Sequence, residues 1–316
     1  MNDDPTTRTA LTPNSEVQQL FALLLLPEVD GPPVNPADIR LGFSDFIEKA
    51  ALGGETDEVA LVFDVAVEGQ SGAVLTRVYE PTGNTSDVLD VVVFFHGGGW
   101  AAGDLDTADV GARALAHALR CRVVSVDYRL APENPFPAAF DDCVTVLRHV
   151  SQQEENRRLV VAGESAGGNL AASISIALRD EGLISGQLLI NPVLDLVNEG
   201  PSYRDFGEGY GLTARDMRIY KDWYVGEADP SDPRISPLMA ASLAGVAPVV
   251  ITTAGFDPLL DEGVAYATRL INDGVQVTYV PMNSMLHGWL ALLPSSAVTR
   301  HEFVRMMKAT SVLFAN

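Results

Sequence analysis

The chain has 316 residues, 47% of them hydrophobic, which is enough apolar material for one large core or for a domain carrying an insertion. Its formal net charge of -21 argues against nucleic acid as a partner, because phosphate binding needs clustered Lys and Arg. Cys121 and Cys143 are the two cysteines, which speaks against a disulfide framework and for a reducing, cytoplasmic interior.

The N-terminal stretch MNDDPTTRTA is polar and acidic. The apolar run near it, LFALLLL at 20–26, is too short to cross a bilayer and has no basic region before it, so no targeting segment and no stable membrane insertion are expected. The run is read as a helix face that covers a pocket or joins the core, with a helix on a membrane surface as the alternative. Next comes NPADIRLGFSDFIEKAAL, a predicted helix in which Asn35 suits the N-cap and Pro36 the first turn. VAVEG and LTRVYEP then predict an antiparallel start to a sheet.

Further on, β-branched runs at 91–95, 122–126, 158–163, 186–192, 248–255 and 275–280 alternate with segments of helical spacing. Those segments are TADVGARALAHALR, FPAAFDDCVTVLRHV, AGGNLAASISIALRD and DEGVAYATRLIND, and AVTRHEFVRMMKATSVLF closes the chain. The alternation predicts an α/β fold with a mostly parallel central sheet flanked by helices. Two regions fall outside it, residues 1–50 and 198–236, the second containing LTARDMRIYKDWYVG with Thr213 as N-cap. Together they are expected to form a two-part helical cap over the carboxyl edge of the sheet, where open α/β sheets bind ligands. Residues 51–197 and 237–316 would then form the catalytic domain.

In VVAGESAGGNLAA, residues Gly163, Ser165 and Gly167 satisfy G-x-S-x-G between a strand and a helix. Such an elbow exposes a serine hydroxyl on a strained turn, and side chains at the flanking glycines would collide with the neighbouring strand and helix. A serine nucleophile needs a base held by an acid. His117, His149 and His301 fall within predicted helices and His96 in a glycine loop, whereas His287 follows the last strand, where an imidazole can reach over the strand ends. In VVITTAGFDPLL, Asp257 stands just beyond a buried-looking strand and gives the order Ser165, Asp257, His287; Asp195, at the end of another strand, is the rival acid. Asp261 and Glu262 read as the acidic first turn of a helix.

The strand VVVFF runs into HGGGW. Backbone N–H groups approach an oxyanion closely only where no Cβ intervenes, so Gly97, Gly98 and Gly99 suit an oxyanion hole, with Gly98 and Gly99 assigned as donors beside the N–H of Ala166. His96 is read as an architectural residue whose ring hydrogen-bonds the loop. A phosphate-binding role lacks the following lysine or a dinucleotide fingerprint, and no His/Cys/Asp cluster has metal-ligand spacing.

HGGGW, VDYRLAPENPFPAA, GESAGGNLA, AGFDPLLDEG and HGW, in this order, resemble the hormone-sensitive-lipase-like branch of the α/β-hydrolase carboxylesterases over roughly residues 60–316. Glu164 stands where many members carry Asp or Thr, and Trp289 where Phe is common. The resemblance implies the α/β-hydrolase fold, no metal or other cofactor, and short- to medium-chain acyl esters as substrates of an acyl-enzyme on Ser165. A homodimer is compatible with it. Within YRLAPE, Arg129 and Glu133 are expected to brace the loop near the site. Trp100, Phe206, Tyr210, Trp223, Tyr224, Leu286 and Trp289 are candidates for either an apolar pocket or cap core. An amidase, formamidase or deacetylase with the same triad is the alternative, and a non-catalytic small-molecule receptor is a third reading that the intact triad disfavours.

Overall fold

A computed structural model describes residues 12–24, 35–83, 89–153 and 158–314. MNDDPTTRTA and residues 25 and 26 of the apolar run lie outside them. The helices in chain order are α1 (Ser15–Leu24), α2 (Pro36–Ala51), α3 (Asp109–Leu119), α4 (Ala138–Gln153), α5 (Ala166–Ala177), α6 (Pro201–Phe206), α7 (Ala214–Val225), α8 (Leu260–Asn272) and α9 (Ala297–Thr310). The strands are β1 (Leu61–Val67), β2 (Val74–Glu80), β3 (Val91–Phe95), β4 (Arg122–Val126), β5 (Leu159–Glu164), β6 (Gly186–Ile190), β7 (Val249–Phe256) and β8 (Val277–Leu286).

They make one sheet in the order β1-β2-β4-β3-β5-β6-β7-β8. β2 pairs antiparallel with β1 and β4, and every other pairing is parallel. Successive strand residues face opposite sides, so a strand covered on both faces is apolar throughout. In β3, Val91, Val93 and Phe95 join a core shared with α4, α5 and α8, while Val92 and Phe94 join a second core under α3, α9 and α1.

The local signals account for both helices expected above the sheet. Asn35 Oδ1 accepts the N–H of Ala37 at 3.0 Å at the start of α2. Thr213 and Asp216 form a reciprocal capping box at the start of α7, which satisfies donors that the helix leaves free. On α1, Val17 and Phe21 are buried and Leu23 is exposed, so the described part of the apolar run contributes to the core. α1 lies against β8 and α9, with Asn14 N–H donating to Ser284 O and Ser296 Oγ donating to Glu16 Oε1.

Two elements differ from the expectation. PSYRDF, in a stretch without clear periodicity, forms the short helix α6, with Pro201 at its first position. β8 runs to Leu286, well past 280, through Pro281. It is the sheet's edge, where a residue lacking an N–H is tolerated. The register against β7 shifts between Ala254 and Phe256, and His287 therefore follows directly on a paired strand rather than sitting within a loop.

Candidate active site

Because β3, β5, β7 and β8 run parallel, the residues that follow them meet at one edge of the sheet. These are the glycine loop after β3, Ser165 after β5, Asp257 after β7 and His287 after β8. In sheet order the glycine loop lies on one side of Ser165, and His287 and Asp257 lie on the other.

Ser165 has φ 55° and ψ -117°, outside the ordinary regions for a side-chain-bearing residue. Its N–H donates to Ile190 O at 2.9 Å, and its carbonyl accepts from Asn169 N at 3.0 Å and Val193 N at 3.2 Å, so neighbouring elements hold the strain in place. The flanking glycines are required by packing. A Cβ at Gly163 would lie 2.2 Å from Gly167 O, and one at Gly167 would lie 1.9 Å from Phe95 O on the adjacent strand.

Ser165 Oγ lies 2.9 Å from His287 Nε2, and His287 Nδ1 lies 2.7 Å from Asp257 Oδ2. With the ring neutral, Nδ1–H donates to the carboxylate and Nε2 accepts from the serine hydroxyl. Asp257 is 1% exposed, and its Oδ1 accepts the N–H of Leu259 at 2.9 Å, which fixes the carboxylate. Burial disfavours the charged imidazole, but the Asp257 carboxylate acts through charge and hydrogen bond, Glu164 adds to it, and the net shift of His287 is upward. Asp195 is occupied elsewhere: Oδ1 accepts from Val197 N at 2.8 Å and Asn198 N at 2.9 Å, and Oδ2 from Asn198 Nδ2 at 3.0 Å.

The glycine loop keeps its shape by contacts that only glycine permits. Gly98 has φ +114°, and a Cβ on it would sit 2.2 Å from the Ala102 carbonyl oxygen. Gly99 has φ +62°, and its Cβ would clash with the Tyr220 ring of α7, 2.4 Å from Cγ. Among the described residues, no backbone acceptor takes the N–H of Gly97, Gly98, Gly99 or Ala166. His96 Nδ1 donates to Gly97 O at 2.7 Å and its ring stacks on Tyr128, as an architectural residue would. Burial pushes His96 down to about 4, so this ring is neutral.

Trp100 stacks on Tyr224 with ring centroids 4.2 Å apart, and both are fully buried, as is Trp289. These three and the buried Leu286 belong to the core rather than to a pocket wall. Trp223 packs half-buried on the same core. Phe206 and Tyr210 are half-buried and, with Phe256, form an aromatic cluster one residue from Asp257.

A family model of the alpha/beta hydrolase fold matches residues 92–291. The chain belongs to that family, in its hormone-sensitive-lipase-like branch. This alpha/beta hydrolase is 39% identical over 265 residues to the carboxylic ester hydrolase LipN of Mycobacterium tuberculosis, which spans 78% of this chain and 70% of LipN. An ester hydrolase from the metagenome of Lake Arreo, solved with a bipyridine phosphonate derivative, superimposes with a TM-score of 0.85 at 35% identity, covering 96% of this chain and 98% of that one. The hyperthermophilic esterase of Pyrobaculum calidifontis gives a TM-score of 0.87 at 32% identity, covering 96% and 99%.

The sequence did not single out three contributors to this hydrolase's site. Arg40 of α2 donates from Nε to Ala101 O at 2.8 Å and from Nη2 to Ala131 O at 3.0 Å, and pairs with Glu133. Glu133 thus braces the loop through α2, while Arg129 does so through a fork onto Asp142. Tyr220 covers Gly99, and Glu164 lines a cavity beside Ser165. No local pattern marks the partners of Arg40 or Tyr220, which lie far along the chain; Glu164 was visible only as a departure within the elbow.

Proposed function

We propose that this carboxylic ester hydrolase acts on short- to medium-chain acyl esters through an acyl-enzyme on Ser165. The observation that carries the reading is the unbroken line of contacts from Asp257 Oδ2 to His287 Nδ1 and from His287 Nε2 to Ser165 Oγ. His287 takes the hydroxyl proton as Oγ attacks the ester carbonyl, and then delivers it to the departing alcohol. Asp257 keeps the imidazole in the productive tautomer and stabilises its charged form. N–H groups of Gly98, Gly99 and Ala166 bind the oxyanion. Water, deprotonated by His287, then adds to the acyl-enzyme and releases the acid.

The helices α1 and α2 with α6 and α7 serve as the cap in this reading, and Phe206 and Tyr210 face the acyl or alcohol part of the substrate. We assign the protein to the cytoplasm because Cys121 and Cys143 are both buried and free. Among the described residues, no helix is long and apolar enough to cross a membrane.

Turnover of p-nitrophenyl esters from acetate to palmitate, together with mass spectrometry after a phosphonate serine probe, tests the proposal. Labelling at Ser165 with turnover highest on the shorter acyl chains is expected; a label on any other serine overturns it, and turnover that rises through palmitate overturns the chain-length assignment.

The two glycines of the hole respond differently to substitution. Gly98→Ala drives a Cβ into the Ala102 backbone and lowers kcat/KM by roughly 10² or more, the scale of one lost oxyanion donor. Gly99→Ala meets the Tyr220 side chain first, so the double variant Gly99→Ala with Tyr220→Ala recovers the part of the activity lost to that clash, while the strain of a side chain at φ +62° remains. Kinetics of the three variants on one ester check this difference.

A further inference from the structure

Glu164 is the last residue of β5, directly before Ser165. Its carboxyl lies beneath the glycine loop: a Cβ built on Gly97 would be 3.8 Å from Glu164 Oε2 and 3.6 Å from the Ser165 Cβ. Together with Phe43, Ile47, His96 and Leu290 it lines a cavity of about 40 Å³. Oε1 is buried and has no hydrogen-bond partner among the described residues.

The surroundings of this carboxyl are poor in charge. α2, α3 and residues 290–291 turn only uncharged side chains into the cavity. His96, from the end of β3, is its one other titratable group, and that ring is neutral. The charged groups that act on Glu164 are His287 at the end of β8 and Asp257 at the end of β7. The imidazolium formed during the reaction is therefore the cation this carboxylate answers to.

We propose that Glu164 is a positioning residue that, when ionised, joins Asp257 in stabilising the His287 imidazolium and, when protonated, withdraws that support, so that the two groups take up protons as a coupled pair. The inference rests on the triad reading of the same site. A carboxyl with a buried oxygen that lacks a donor, in surroundings without a cation, favours its neutral form. Burial pushes Glu164 up to about 7, with the His287 charge opposing and the Asp257 charge reinforcing the rise.

The sign of the consequence follows from which form is active. His287 must start neutral to accept the serine proton. An ionised Glu164 raises the proton affinity of His287, so the active form is lost at a higher pH than it would be without that charge. When a single proton is bound by the pair, the species carrying it on Glu164 still has a neutral imidazole, and the species carrying it on His287 does not. The acid limb of kcat/KM belongs to the pair and takes two ionisations to describe.

The test compares wild type with Glu164→Gln and Glu164→Asp in two ways. The first is the pH profile of kcat/KM on p-nitrophenyl acetate; the second is NMR titration of the His287 ring, assigned by its loss in His287→Ala. In Glu164→Gln the acid limb is expected to reduce to one ionisation, and both it and the ring titration move to lower pH by on the order of half a unit or more. Glu164→Asp, which keeps the charge, restores the two-step profile. Profiles and ring titrations of Glu164→Gln that superimpose on wild type overturn the proposal. A 13C-carboxyl titration of Glu164 in the unmodified protein needs no variant to fold, and a carboxyl that ionises fully near 4 also overturns it. If Ser165 were not the nucleophile, the phosphonate label would be absent from it while the ring titration still gave its own answer, so the two failures are distinguishable.

Discussion

Ser165→Ala is expected to lower kcat on p-nitrophenyl acetate by roughly 10⁶ while leaving the fold and thermal unfolding nearly unchanged. The size of the loss follows from the division of labour at the site. Without Oγ there is no covalent intermediate, and direct attack by water must replace attack by a hydroxyl set 2.9 Å from His287 Nε2. The backbone groups proposed to bind the oxyanion survive the substitution, so a small residual rate over the uncatalysed reaction is expected. Ser165 sits at φ 55°, and alanine is no better suited to that backbone than serine, so the strain is retained and stability changes little. Steady-state kinetics on a preparation checked by mass spectrometry for wild-type carry-over give the result; a variant that keeps more than about a hundredth of the wild-type kcat is incompatible with the acyl-enzyme.

Asp257→Asn is expected to reduce kcat by roughly 10⁴, and Asp195→Asn by no more than a few-fold. The two residues both follow strands in the sequence, but their contacts separate them. Asp257 takes the Nδ1–H of His287 with one oxygen and a backbone N–H with the other. An amide there presents its NH₂ to the ring in one of its two orientations and favours the tautomer whose Nε2 carries the proton, which cannot then accept the serine hydrogen. Asp195 instead folds back onto Val197 and Asn198, and asparagine reproduces most of that turn. A pair of kcat measurements on one ester decides between them: comparable losses in both variants would return Asp195 to consideration.

The fold was legible because most parallel strands are short apolar runs and the segments between them have helical spacing. Asn35 and Thr213 cap the helices that their residue types indicated. The meeting of Ser165, Asp257 and His287 was legible because each stands directly after a strand end. The extent of β8 was not, since Pro281 reads as a terminator and only an edge position makes it tolerable. The aromatic residues were ambiguous for a different reason: Trp100, Tyr224 and Trp289 carry no sign of burial in their type, and whether they line a pocket depends on stacking partners more than 100 residues away, as for Trp100 and Tyr224. Glu164 looked like a variation within the elbow; its chemical interest comes from a buried oxygen, Oε1, that has no hydrogen-bond partner among the described residues.

The Tyr220 ring on Gly99 and the Arg40 guanidinium on the Ala101 and Ala131 carbonyls bear on how such an enzyme can be re-engineered. Exchanging α2 or α7 for the matching segment of a relative also exchanges the props under the glycine loop. A chimera at either helix keeps that loop in place only if the residues at 40 and 220 travel into the new segment unchanged.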